Sequence, residues 1–311
     1  EGVSYMLKQY RFRFYNLRLV FLLLLTSGIG VVLVGDAAPE LKIRQLAGVI
    51  FAFFVMIVVS LFDFSWVCNF SWVMYFFNIV LLLAVRFFGD EAGGAGRWLD
   101  LGFVRFQPTE LSKIIIIIFF AKFFMDHEEE INTVNTILKS VALLGIPLFL
   151  IFAQPDLKNT ITVAFLFCVL IYAAGLYYRI IFGILVITVP LFIIFMAIVQ
   201  NPDQKLLQDY QRDRIMSFLH PEEDEYSSGT EQQLNSVMAI GSGKLSGKIL
   251  SGEERTYVNE GNFVAENQTD FIFAVAGEEY GFIGCTVLVV LLLLITLECL
   301  RMSIRAKDLS G

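Results

Sequence analysis

The chain has 311 residues, 57% of them hydrophobic, 14% aromatic and only 17% charged, with a formal net charge of −7. A soluble domain carries about 25% charged residues, and a chain of this length cannot hide so much apolar mass in water-soluble cores. A soluble enzyme and a disordered protein are excluded, and the acidic balance argues against a nucleic-acid partner, which calls for a basic patch.

Windows of about 20 apolar residues predict eight membrane-spanning helices, near residues 19–35, 45–62, 68–87, 108–125, 138–153, 159–176, 180–199 and 271–297. The first follows Arg11, Arg13 and Arg18. It lacks a small-residue cleavage site, so it reads as a retained helix and not a signal peptide. Basic residues near both ends of the series (Lys8, Arg11 and Arg13; Arg301, Arg305 and Lys307) place both ends on the cytoplasmic side. The outward connections are then 36–44, 88–107, 154–158 and 200–270, the last too long for an idle connector. Cys68, Cys168, Cys285 and Cys299 lie in or at the end of apolar stretches without CxxC spacing, as small buried hydrophobes do.

Charged residues inside spans are costly and are candidates for function by default. In chain order the first group is Gly96-Arg97-Trp98, followed by Gln107-Pro108-Thr109-Glu110-Leu111-Ser112-Lys113. Proline suits the first turn of a helix. Glu110 and Lys113, three apart, share a face and can neutralise one another. A purely structural ion pair fits the same spacing. Arg97 fits either an interfacial anchor or an anion clamp. Next, Gln154-Pro155-Asp156 ends the fifth span and leaves Asp156 near the next helix start, where capping is the plain alternative to a role in the site.

The long loop carries Tyr210-Gln211-Arg212-Asp213-Arg214-Ile215 and then Gln232 to Lys248, glycine-rich and basic but lacking Walker spacing. A surface helix followed by a glycine turn explains the second stretch equally well. Last come Glu266-Asn267-Gln268-Thr269-Asp270-Phe271 and Gly277-Glu278-Glu279-Tyr280-Gly281. Asp270 falls where water gives way to the last span, a place suited to a general base, although Thr269 and Asp270 are also good helix-cap residues. Arg97, Glu110, Lys113, Asp156, Arg214 and Asp270 all map to the outer half of the membrane. The two histidines, His127 and His220, offer no HExxH pattern, and neither a zinc site nor a Ser/His/Asp triad is visible.

These stretches resemble, in order, the motifs of the SEDS family (shape, elongation, division and sporulation proteins). They are Gly-Arg-Trp with Gln-Pro-Thr-Glu-x-x-Lys, Gln-Pro-Asp, Tyr-Gln-x-x-Arg-Ile-x-x-Phe-Leu-x-Pro, Ala-Ile-Gly-Ser-Gly-x-Leu-x-Gly, and Thr-Asp-Phe-Ile-Phe-Ala with Gly-Glu-Glu-x-Gly. The Tyr-Gln form favours the rod-shape branch over the division branch. The resemblance implies an all-α polytopic membrane protein, a single membrane domain over 1–311. It would hold about eight of the family's ten helices, with an extracytoplasmic loop at 200–270 between helices 7 and 8. It further implies a peptidoglycan glycosyltransferase of the bacterial cytoplasmic membrane that polymerises lipid II into undecaprenyl-linked glycan, alongside a class B penicillin-binding protein as transpeptidase partner.

On this resemblance Asp270 is the catalytic residue, with Arg97, Glu110, Lys113, Asp156, Arg214, Gln232, Lys244 and Glu266 expected to bind substrate. No resident cofactor is implied with certainty, a divalent cation (Mg or Mn) being the candidate. A lipid II flippase and a non-catalytic scaffold for a transpeptidase are the alternatives. Ala265 and Gln268 stand where the family usually has proline and histidine, and Lys158-Asn159-Thr160 departs from the family's Gly-Thr after Gln-Pro-Asp-Leu. The Ser-Tyr-Gly-Gly motif of the family's last helices is not found before Gly311, so the sequence is expected to be part of a longer chain.

Overall fold

A computed structural model describes residues 15–92, 95–100, 105–154, 156–201, 212, 215, 216, 219, 227–251 and 267–306. Each of the eight predicted segments is helical. In chain order the elements are α1 (Leu17–Ala37), α2 (Lys42–Ser60), a short α3 (Phe64–Asn69), α4 (Ser71–Phe88), strands β1 (Asp90–Ala92), β2 (Ala95–Asp100) and β3 (Arg105–Phe106), α5 (Pro108–Asp126), α6 (Val134–Phe152), α7 (Leu157–Ala173), α8 (Tyr178–Val199), α9 (Ser227–Ser242), α10 (Gly247–Ser251) and α11 (Ile272–Ser303). By length and composition, four helices among the described residues can cross a membrane: α1, the Pro39–Ser60 helix that contains α2, α6 and α11. Shorter apolar helices accompany them.

Two features go beyond the helical expectation. The 88–107 connection carries a small antiparallel sheet of order β1-β2-β3, in which Asp90 pairs with Trp98 and Leu99 with Phe106. Within 200–270, α9 and α10 are ordered helices, so this connection is partly built structure.

The described residues group into two compact units. In the unit holding 62–198, α5 supplies more of the buried core than any other helix. Thr109, Ser112, Ile115, Ile116, Phe119, Phe120, Phe123 and Phe124 recur every three or four residues and are all buried. Five consecutive isoleucines are poor helix formers, but this packing outweighs the propensity. Tyr75 of α4 stacks on Phe119 with ring centroids 4.5 Å apart, and Phe120 meets Phe167 of α7 edge-on at 5.0 Å. The Tyr75 hydroxyl donates to the Leu143 carbonyl of α6 at 2.7 Å, so the buried ring keeps a partner for its polar end.

In the unit holding 9–61 and 199–305, α1 packs along α11, and α9 and α10 pack on the first part of α11. α11 is not continuous: Gly281 has φ 64° and ψ −160°, outside helical space. A Cβ there would strike the backbone of Gly247 and Leu245, so the position demands glycine both for conformation and for space. The amides freed by the break donate elsewhere, Phe282 N–H to the Lys244 carbonyl at 3.0 Å and Ile283 N–H to the Leu245 carbonyl at 3.2 Å. The turn between α9 and α10 thus repairs the broken helix. It fits because Gly243 and Gly247 lie against the Gly277 and Glu279 carbonyls, with no room for a side chain.

Candidate active site

In the unit holding 62–198, a polar network joins the N-terminal ends of α5 and α7. Pro108 opens α5 at its tolerated first turn. That places Glu110 and Lys113 one turn apart on one side of the helix. Lys113 Nζ lies 2.8 Å from Glu110 Oε1, and 3.4 Å from Asn159 Oδ1 of α7. Asp156, only 2% exposed, caps α7 by accepting from the Asn159 backbone N–H at 3.2 Å. Its Oδ2 accepts from Asn159 Nδ2 at 2.7 Å and from Gln107 Nε2 at 3.3 Å.

Capping and membership of the polar network are therefore one and the same role for Asp156. Among the described residues its donors are neutral amides, and it meets the Lys113 cation only through Asn159. Gln154, fully buried just before it, donates from Nε2 to the Leu82 carbonyl of α4 at 2.9 Å and fixes where α6 ends.

Sequence reasoning named Glu110, Lys113 and Asp156, and the structure brings them together. It missed Gln107 and Asn159 as participants. Asn159 appeared only as a departure from a family pattern, yet its amide is the bridge: the carbonyl faces Lys113 and the NH2 faces Asp156. The signal that finds it is spacing, since a residue three after an N-cap aspartate lies over the cap. Arg97 lies on β2. Arg214 and Glu266 lie outside the described residues.

In the other unit, Asp270 is exposed in the turn that leads into α11. Two turns further on, Glu278 is 1% exposed and paired with Lys248 of α10, whose side chain is 14% exposed. A lone buried carboxylate costs several kcal/mol, which the lysine offsets. Lys248 and Glu278 thereby bind α10 to the helix that follows Asp270. Next to them Tyr280 donates to Asp36 Oδ2 of α1 at 2.8 Å. Of the remaining expected residues, Gln232 is exposed on α9. Lys244 is exposed in the α9–α10 turn with φ 50°, the one non-glycine residue with positive φ among those described. Among the described residues no three His, Cys, Asp or Glu side chains group closely enough to hold a metal ion.

An exposed carboxylate at the head of a broken apolar helix, in a chain of apolar helices with charges kept to their ends, defines a multi-span membrane protein with a polar site at helix termini. The family profile described as "Cell cycle protein" (FtsW, RodA, SpoVE) matches residues 8–311, and the chain belongs to this family. It is 38% identical over 239 residues to the peptidoglycan glycosyltransferase MrdB of Escherichia coli K12, which covers 76% of this chain and 61% of the relative. It is 29% identical over 296 residues to a probable peptidoglycan glycosyltransferase FtsW of Wigglesworthia glossinidia brevipalpis, covering 90% of this chain and 73% of that one. The chain thus spans about three-fifths of the length of the E. coli relative.

Among solved structures, one described as a peptidoglycan synthase complex superposes with TM-score 0.78 at 25% identity, covering 96% of this chain and 80% of that one. The rod-shape-determining protein RodA of Thermus thermophilus superposes with TM-score 0.65 at 22% identity, covering 96% and 78%, and shares the fold.

Proposed function

We propose that the protein of which this sequence forms part is a peptidoglycan glycosyltransferase of the bacterial cytoplasmic membrane, polymerising lipid II at the outer face for cell elongation. Family membership and relatives named for this activity support the reading. The single observation that carries it is the exposed Asp270 at the head of α11, within the Thr-Asp-Phe motif.

Asp270 acts as general base. Its carboxylate takes the proton of the acceptor 4-hydroxyl as that oxygen attacks the donor's anomeric carbon. The bond from that carbon to the pyrophosphate oxygen breaks with inversion, and undecaprenyl pyrophosphate leaves with the bonding electrons. Exposure suits this role, because a sugar hydroxyl can reach the carboxylate. The departing pyrophosphate needs cations, for which Arg97, Lys113, Arg214 and Lys244 are the candidates, arginine offering the bidentate grip. Glu110 orients Lys113, and Asp156 holds Asn159 in place to do the same. Gln232 and Glu266 belong to the substrate-binding surface.

A divalent cation enters no step here. Among the described residues no three His, Cys, Asp or Glu side chains group as its ligands; a cation that bound would be held by one or two carboxylates together with the substrate's phosphates. The partner proposed is a class B penicillin-binding protein, supported by the likeness to a peptidoglycan synthase complex. The test is lipid II polymerisation by the full-length protein. Asp270→Ala is expected to lower glycan synthesis at least about 100-fold, the scale of a lost general base, and wild-type output from it would overturn the assignment.

A further inference from the structure

α1 and α11 run side by side and are tied at both ends. Asn16 Nδ2 donates to Glu298 Oε1 at 3.0 Å, and Tyr280 donates to Asp36 at 2.8 Å. Asn16 and Asp36 stand twenty positions apart on one helix, about 30 Å at about 1.5 Å per residue, which equals the hydrocarbon thickness of a bilayer. On α11, Tyr280 and Glu298 are eighteen positions apart, about 27 Å, and no charged residue lies between them. On α1 the only charge between the ties is Arg18, at the end near Asn16, from which a long side chain can reach the interface. Two polar ties one hydrocarbon thickness apart, with apolar helix between, mark the two faces of a membrane.

The surroundings of α11 change at the same place. Before Gly281 it is wrapped in protein: Ala274 to Glu279 are all buried, Val275 at 1% exposure. After it one side packs on α1, with Cys285 and Leu291 buried, and the rest is bare and apolar: Phe282 is 67% exposed and Ile283, Val289 and Leu292 are each more than half exposed. Bare apolar side chains in such a run face lipid. The break itself fits this boundary, because irregular backbone at a membrane is tolerated where protein satisfies its polar groups. Here the Lys244 and Leu245 carbonyls do so.

We infer that the bilayer surface on the Asp270 side lies at Gly281, so that Ile272–Tyr280, with α9 and α10 packed around it, stands outside the hydrocarbon and carries Asp270 roughly 15 Å beyond it. The membrane span of α11 is then 282–298, not the 271–297 that hydropathy predicts. The Lys248–Glu278 pair and the glycine interlock form a collar at the lipid surface that sets this height. Resting on the proposed function, the consequence is that Asp270 meets the sugars of a lipid-linked substrate, while the pyrophosphate lies nearer the level of Gly281 and the exposed Lys244.

Depth-dependent quenching of tryptophan by brominated lipid tests the assignment in the full-length protein, reconstituted in phosphatidylethanolamine–phosphatidylglycerol vesicles. Three variants place a tryptophan at exposed apolar positions: Phe273→Trp, Phe282→Trp and Val290→Trp. The quenching added over wild type is expected to be largest at position 290 with deep bromines and intermediate at 282, where shallow bromines act better. At 273 it is expected to be absent, with aqueous iodide quenching there instead. Bromolipid quenching at 273 equal to or above that at 282 overturns the inference. Leu245→Trp, at the exposed turn, gives a further reading and is expected to respond to shallow bromines only; deep-bromine quenching there also counts against it. Fluorescence reads depth and not turnover, so an active Asp270→Ala enzyme would remove the base while leaving the boundary in place, and the reverse also holds.

Discussion

Among the described residues, two lysine–glutamate pairs look alike on paper and differ in what surrounds them. Lys113–Glu110 joins neighbours on one helix turn, with side-chain exposures of 21% and 58%. Lys248–Glu278 joins residues thirty positions apart, with exposures of 14% and 1%. Water screens the first pair and leaves its members replaceable, which suits groups that must meet a substrate. The second pair is largely withdrawn from water, so its attraction is little screened, which suits a fixed joint. Environment and not residue type decides which pair can work on a ligand and which holds the frame.

Removing one partner of the buried pair is the sharpest way to break this comparison. Glu278→Ala is expected to destabilise the full-length protein by about 3–5 kcal/mol, the usual cost of breaking a buried ion pair by removing one partner. Thermal unfolding in detergent reads the loss. The double replacement Lys248→Met with Glu278→Leu is expected to recover most of it; no recovery would mean that the pair contributes more than mutual neutralisation.

A smaller effect is expected at the other network. Asp156→Ala removes the α7 cap and leaves buried Asn159 without its acceptor, a loss of about 1–3 kcal/mol, measurable in the same unfolding experiment. Glu110→Ala should do least, about 0–1 kcal/mol as for exposed ion pairs, while polymerisation falls if Glu110 orients Lys113. Equal stability losses at Glu110 and Glu278 would erase the distinction between the two pairs.

Much of the fold was legible before any coordinates, because hydrophobicity is a local property and a bilayer reads it almost directly. All eight expected segments are helices, and Pro108 and Asp156 begin or cap theirs as their residue types predict. The small sheet at 90–106 was not foreseen. Its strands are short and lack the alternation that marks a half-buried strand. The α9 helix followed by a glycine turn was an open alternative and is what forms.

The site divides in the same way. Glu110 and Lys113 share a face by helical period alone, and that pairing needed no tertiary information. Asn159 as the link between Lys113 and Asp156 depends on α5 and α7 meeting at their ends. Likewise, Gly277-Glu-Glu-Tyr-Gly281 could be read as a motif, but its purpose could not.

What the sequence by itself determined is the solvent, the helices and the scarcity of charge within them, since each follows from side chains within a few residues of one another. Only the tertiary structure decided that α11 breaks at Gly281, that the Lys244 and Leu245 carbonyls heal the break, and that Lys248 neutralises Glu278. The physical reason is one of range. Backbone hydrogen bonds and charges taken out of water must find partners, and folding can bring those partners from thirty or more positions away.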